Sequence, residues 1–259
     1  MLLVLSPAKT LDMQRPEPAL PSTLPRLLPE TARLVERLRG FDSAALGRLM
    51  GISDKLAELN HARYAGWSPR FDAHNSRPAL LAFAGDVYTG LDAPHLSPED
   101  LRWAQDHVAM LSGLYGVLRP LDRMQAYRLE MGTRLANPAG PDLYAFWGTR
   151  IAALLREQLS SHRDQVLLNL ASEEYFRAVD VAALGLPVIH AVFQEGDGER
   201  WRVIGVHAKR ARGLMARWII VGRIDQPQRL REFDAEGYAY CAEASDSTRW
   251  VFRRGPRPA

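Results

Sequence analysis

The sequence predicts an α+β domain, a compact mixed sheet with surrounding helices. Short apolar runs at residues 2–5 and 80–83, and the mostly apolar stretch 166–170, have the length of buried strands. Well-marked helix starts lie between them, such as Ser97-Pro98-Glu99-Asp100 with its cap, its proline and its early acids. Strands and helices follow no strict βαβ rhythm and the closing strands read as antiparallel, which argues against a doubly wound sheet. With 259 residues and neither repeats nor a clear linker, residues 1–259 are expected to form one domain.

Leu2-Leu3-Val4-Leu5, ending at Ser6-Pro7, reads as the first buried strand. A proline-rich connection follows through Pro16, Pro18, Pro21 and Pro25. The first helix is expected over 29–38, stopped by Gly40. A second follows an Asp42 cap to Met50, and a third over 55–64 follows Ser53 or Asp54. Residues 80–83 read as a strand ended by Gly85-Asp86. The helix from Ser97 is expected to run to about Met110. Pro141 opens a long helix over 142–159, with Phe146, Ile151, Leu154 and Leu155 facing inward. Residues 166–170 form a third buried strand. The stretches 188–193 and 201–206 alternate around Gly196-Asp197-Gly198 as a hairpin. Residues 209–222 are helical, and 238–242 can pair with 249–252.

The most informative segment is Ser112-Gly113-Leu114-Tyr115-Gly116-Val117-Leu118-Arg119-Pro120. Glycines three apart permit a sharp turn and leave amide N–H groups uncovered beside Arg119. One reading is a helix-hairpin-helix-like phosphate clamp, which grips a nucleic-acid strand without reading its bases. The other is a tight turn packed into the core, with its glycines there for close approach.

Hydrophobic residues make up 47% and charged residues 24%, with a formal net charge of +3. This mildly basic balance does not by itself imply nucleic acid; the placement of the charge matters more. Cys241 is the single cysteine, which excludes an internal disulfide, a zinc knuckle and a cysteine-held iron–sulfur cluster. The opening Met1-Leu2-Leu3-Val4-Leu5 is too short for a signal-peptide core, and no apolar run reaches bilayer-spanning length. A membrane-free, cytoplasmic protein is expected.

Along a helix from Lys209, the side chains of Lys209, Arg210, Arg212, Arg217 and Arg223 fall within an arc of roughly 160°. Ala211, Leu214, Met215, Trp218 and Ile219 take the other side, and no acid interrupts 209–224. Arg119, Arg123, Arg128 and Arg134 form a second basic group, and Arg249, Arg253, Arg254 and Arg257 a third. Lys9 follows the first strand and Lys55 opens a helix. Converged, such groups form a channel for a polyanion. Tyr115, Tyr127 and Trp218 can stack on unpaired bases or serve as core.

Catalytic constellations are sparse. Ser6 and Lys9 have Ser-x-x-Lys spacing, but Pro7 disfavours the helical turn that such a pair needs. Glu58 and His61 have Glu-x-x-His spacing, but the motif occurs once where a di-iron bundle needs two. They read as surface groups, and no metal site is expected. Asp86 is either a polar group at a strand end or a helix cap. Ser6, Lys9, Asp86 and Asn169 together can line a strand-end pocket for a phosphate-bearing or nucleobase-like substrate.

Several blocks occur in order. They are Ser6-Pro7-Ala8-Lys9-Thr10-Leu11, Ile52-Ser53-Asp54-Lys55-Leu56, Phe83-Ala84-Gly85-Asp86-Val87-Tyr88-Thr89-Gly90-Leu91, the glycine segment to Asp122, Tyr127-Arg128-Leu129-Glu130-Met131-Gly132, Phe146-Trp147-Gly148, Asn169-Leu170-Ala171-Ser172 and Ala211-Arg212-Gly213-Leu214-Met215. Together they resemble the bacterial YaaA family of peroxide-stress proteins over almost the whole chain. The resemblance implies a role in surviving hydrogen peroxide by limiting unincorporated iron and hydroxyl-radical damage to DNA. It also implies a basic cleft, a helix-hairpin-helix element at Gly113 to Gly116 and direct, non-sequence-specific DNA binding. The expected nucleic-acid contacts are Lys9, Lys55, Gly113, Tyr115, Gly116, Arg119, Lys209, Arg210, Arg212 and Arg217. The rival reading is an enzyme of unassigned chemistry at Ser6, Lys9, Asp86 and Asn169. No cofactor is expected, and the oligomeric state stays open.

Overall fold

The computed structural model describes residues 1–17 and 19–255, so Pro18 and Arg257 lie outside the described residues. Leu2-Leu3-Val4-Leu5 forms β1 (Leu2–Leu5), buried on both faces, and the chain turns into the short β2 (Thr10–Leu11). Three helices follow: α1 (Leu28–Arg39), α2 (Ser43–Met50) and α3 (Asp54–Gly66). Asp42 caps α2 by accepting a hydrogen bond from the Ala45 amide, and Gly51 ends it at φ 61°. Glu58 and His61 lie exposed on α3.

Residues 80–83 depart from the expected strand. After β3 (Arg77–Pro78) the chain makes a single helical turn, α4 (Ala79–Ala82), and only then extends into β4 (Phe83–Ala84). Ala and Leu favour a helix, and a short apolar run can bury itself in either form. Next come α5 (Asp86–Leu91) and α6 (Pro98–His107). The Ser97–Asp100 capping box starts α6 as expected. The helix ends at His107, short of Met110, because Val108 opens β5 (Val108–Ser112).

The glycine segment is a β-hairpin, not a helical one: β5 turns at 113–115 into β6 (Gly116–Leu118), paired antiparallel from Met110↔Leu118 to Ser112↔Gly116. The core-turn reading therefore holds. A Cβ on Gly113 would sit 2.2 Å from the Leu129 carbonyl oxygen, and one on Gly116 2.8 Å from a Leu27 methyl. The Trp147 indole donates to the Gly113 carbonyl at 3.0 Å. Tyr115 has no solvent exposure.

After β7 (Arg123–Met124), the long helix expected over 142–159 is two. Asp142 caps α7 (Leu143–Trp147), Gly148 breaks the path at φ 48°, and α8 (Arg150–Leu159) resumes it. Then follow β8 (Leu167–Leu170), α9 (Glu173–Phe176), α10 (Val181–Leu184) and β9 (Val188–Gly196). The hairpin partner β10 (Trp201–Arg202) is shorter than 201–206, because α11 (Gly205–Val221) already begins at Gly205. The chain closes with β11 (Ala239–Tyr240) and β12 (Arg249–Arg254), antiparallel as expected.

The main sheet is mixed and eight-stranded, ordered β11-β12-β9-β8-β1-β5-β6 with β10 on β9. Its centre, from β12 to β5, is parallel, and the edge pairings are antiparallel. Helices cover the sheet, which explains why β1 reads as a continuous apolar run and β8 as a mostly apolar one.

His162 gives one measurable pH dependence. Its Nδ1 accepts from the Met1 ammonium at 3.1 Å and its Nε2 donates to the Asp106 carbonyl at 3.0 Å, an arrangement only the neutral ring can make. Burial first, and the nearby Met1 and His107 cations second, bring its pKa from 6.5 down to about 4. The folded state thus favours the neutral ring. Its contribution is whole above the unfolded pKa and is lost as pH falls from 6.5 toward 4. Melting temperatures over that window should fall more steeply for the wild type than for His162→Gln, by an equivalent of about 1–2 kcal/mol after solvent screening. Parallel profiles would contradict the assignment.

Candidate functional site

The chain leaves β1 toward β5 on one side and leaves β8 toward β9 on the other. The C-terminal ends of β1 and β8 therefore flank a topological switch point, where open α/β sheets hold ligands. Ser6 follows β1 and Ser172 follows β8. The Ser172 amide donates to the Ser6 hydroxyl oxygen at 2.8 Å, and that hydroxyl donates to the Ser172 Oγ at 3.2 Å. Asn169 shapes the second loop from below: its Oδ1 accepts from the Ala171 amide at 2.8 Å.

The far wall comes from α5 and α11. Pairing of β2 with β4 holds the loop after β1 against Gly85, whose φ of 133° turns the chain into α5. The two helices cross with their backbones nearly touching. A Cβ at Gly213 would lie 1.8 Å from the Val87 carbonyl oxygen, and one at Gly90 2.3 Å from that of Arg210. This crossing brings Lys209 and Arg212 to the cleft.

The resulting cleft has a volume of about 430 Å³ and its lining includes Ser6, Lys9, Asp86, Tyr88, Arg128, Glu130, Glu174, Lys209 and Arg212. Glu130 is shared: Lys9 Nζ lies 2.7 Å from one oxygen and Arg128 Nη2 3.1 Å from the other. Lys209 is exposed. Arg212 is half-buried, and among the described residues nothing accepts a hydrogen bond from it; its Nε is sealed from solvent without a partner. Burial pushes its pKa down, with no carboxylate offsetting the effect. The Nε of Arg128 is likewise buried and unpartnered. Tyr88, Tyr127 and Tyr175 border the cleft with burial-raised pKa values and so present neutral hydroxyls. Tyr88 donates to the Ser6 carbonyl at 2.9 Å. A half-buried guanidinium without a protein acceptor, sharing a cleft with a free ammonium, is chemically equipped to take an anion.

The structure brings together Ser6, Lys9, Asp86, Lys209 and Arg212. It does not bring the other expected residues to them. Gly113, Tyr115 and Gly116 are buried in the hairpin and offer no surface to a nucleic acid. Arg119 is spent on buried Asp122 at 3.0 Å, and Arg210 on Glu236 at 2.6 Å. Arg217 donates to the carbonyls of Leu91 and Asp92 at 3.0 and 2.8 Å, capping the end of α5. Lys55 is exposed on α3, outside the cleft lining. Asn169 is buried below the cleft, with its amide 3.0 Å from His190 Nδ1. Trp218 packs edge-on against Phe233 at 5.7 Å. Asp86 opens α5 and lines the cleft. Ser6 and Lys9 share the cleft but are engaged separately, by Ser172 and Glu130. Glu130 was the residue sequence reasoning missed. Its signal was an acid two places after Arg128, in a segment where each charge needs a partner.

Among the described residues no group of three or more His, Cys, Asp or Glu side chains is placed to hold a metal ion, and no helix is long and apolar enough to cross a membrane. Against known proteins, the profile of the family described as "Peroxide stress protein YaaA" matches residues 1–244. A UPF0246 protein of Paracidovorax citrulli is 59% identical over 255 residues, covering 98% of each chain. A UPF0246 protein of Ralstonia nicotianae is 57% identical over 254 residues, covering 98% of this chain and 99% of its own. One from Albidiferax ferrireducens is 54% identical over 254 residues, at 98% of each.

Proposed function

Because this chain belongs to the peroxide stress protein YaaA family, we propose that it works in the cytoplasm under peroxide stress by binding DNA phosphates, without reading sequence, through the cleft at the ends of β1 and β8. The observation that carries this is Arg212, half-buried at the cleft with its Nε sealed from solvent and no acceptor among the described residues. A fold keeps such a cation only where something offsets its desolvation, and a phosphate oxygen does so with charge-assisted hydrogen bonds. Lys209 adds a second free cation at the mouth.

The same contact offers a physical route to limiting iron-driven damage. Protein cations that neutralise phosphates release the counterions condensed there, ferrous ions included. Hydroxyl radical then forms farther from the bases. The rival reading, an enzyme at Ser6, Lys9, Asp86 and Asn169, lacks a nucleophile paired with a base. Ser6 is hydrogen-bonded to Ser172, Lys9 is held by Glu130, and Asn169 lies below the lining.

Fluorescence anisotropy of labelled DNA across a salt series tests the proposal. Affinity should fall with salt, with a log–log slope of about −1 to −2 for two phosphate-facing cations, and be equal on unrelated sequences. Lys209→Ala should weaken binding uniformly and reduce the log–log salt slope by about 1. Salt-independent binding, or none, would overturn the reading.

A further inference from the structure

We infer that the cleft is built for a single nucleotide unit, with the phosphate on Arg212 and Lys209 and the sugar and base along the remaining wall. The inference rests on the phosphate reading above. A volume of about 430 Å³ lies at the lower end of the roughly 300–1,000 Å³ that encloses small ligands. An intact duplex carries its phosphates on the outside of a rod and reaches only the mouth of such a cleft.

Charge points the same way. The lining holds the cations Lys9, Arg128, Lys209 and Arg212, but also the acids Asp86, Glu130 and Glu174. A trough for a run of phosphates would meet repulsion at each acid. Carboxylates instead accept hydrogen bonds from the amino groups of bases and from sugar hydroxyls. Lys9 and Arg128 both pair with Glu130, whose single charge offsets one of the two. Among the described residues this leaves Arg212 and Lys209 as the lining cations with no carboxylate partner, and exposed Asp86 as an acid with no cation partner. Tyr88 and Tyr127 add aromatic wall. One anion-binding end and one acceptor-bearing, partly apolar end match the composition of a nucleotide.

The nucleotide can be free, or it can be a unit at the end of, or extruded from, a strand. Calorimetry of the full chain with 2′-deoxyadenosine monophosphate and with inorganic phosphate tests the shared chemistry. The mononucleotide should bind at least about tenfold more tightly than phosphate. Asp86→Ala should erase that preference while leaving phosphate affinity intact, and Lys209→Ala should weaken both ligands. Both positions are exposed, so folding does not confound them.

Competition then separates the sources. Displacement of single-stranded or gapped DNA by the mononucleotide, with intact duplex bound at least about tenfold more weakly, supports a strand-borne unit. Mononucleotide binding without any DNA binding supports a free nucleotide and overturns the DNA reading alone. Equal affinity for mononucleotide and phosphate overturns the inference, and so does DNA binding that the mononucleotide fails to displace. The latter result leaves the DNA reading standing.

Discussion

Replacing Gly213 with alanine is expected to lower stability by about 3 kcal/mol or more and to abolish ligand binding in the cleft. The added methyl carbon would sit 1.8 Å from the Val87 carbonyl oxygen and 2.8 Å from the Leu91 amide nitrogen. Both obstacles are backbone of a packed helix, so no side chain can rotate to make room. Relief requires moving α5 away from α11, which separates Asp86 and Tyr88 from Lys209 and Arg212. Thermal melting should report a drop of roughly 2–4 °C per kcal/mol for a domain of this size. Gly66 provides the control: a Cβ there meets nothing within 4 Å, so Gly66→Ala should melt no lower than the wild type. Equal melting of the Gly213 and Gly66 variants would refute the crossing as described.

Arg212→Met is expected to act in opposite directions on stability and on binding. In the ligand-free protein it removes a half-buried, partly desolvated cation that no described residue pairs with, and it keeps the aliphatic bulk. Melting should rise, by about 1–2 kcal/mol in stability. Phosphate or DNA affinity should fall by about a hundredfold or more, because the anion then faces a thioether. Arg212→Lys should recover charge but not the planar fork, and so restore only part of the affinity. A destabilised Arg212→Met with unchanged binding would mean that the guanidinium serves the fold alone.

Much of the fold was legible because caps and strand runs act locally. Asp42 and Ser97 cap helices as their spacing predicts, Asp142 caps α7 one place before the helix instead of opening it, and residues 2–5 and 167–170 form buried strands. The failures have physical causes. Ala79-Leu80-Leu81-Ala82 is apolar throughout, so periodicity could not distinguish a strand from a helical turn. Gly148 interrupts a continuous helical pattern through a positive φ that only the folded chain reveals. Gly113 and Gly116 admit both a phosphate clamp and a core turn in sequence; the groups that decide for the core turn, Leu129, Leu27 and Trp147, belong to distant segments, so the expected nucleic-acid contacts there fail.

At the site, the basic face of α11 was visible in sequence, but its neutralisation was not. Arg210 and Arg217 resemble Arg212 on a helical wheel. They differ because Glu236, the end of α5 and Asp92 come to meet them, while nothing comes to meet Arg212. Which cation stays unspent is a tertiary property.

The central position of β1 sets the order in which this protein can be made. Its residues 2–5 are synthesised well before their partners, which lie at 108–110 on one side and 167–170 on the other. At ordinary elongation rates of about 5–20 residues per second, this leucine-rich segment waits on the order of ten seconds or more for its second neighbour. Until then it is an apolar strand with at least one edge open, so nascent chains should depend on holdase protection and fold late, after the β8 segment has cleared the exit tunnel.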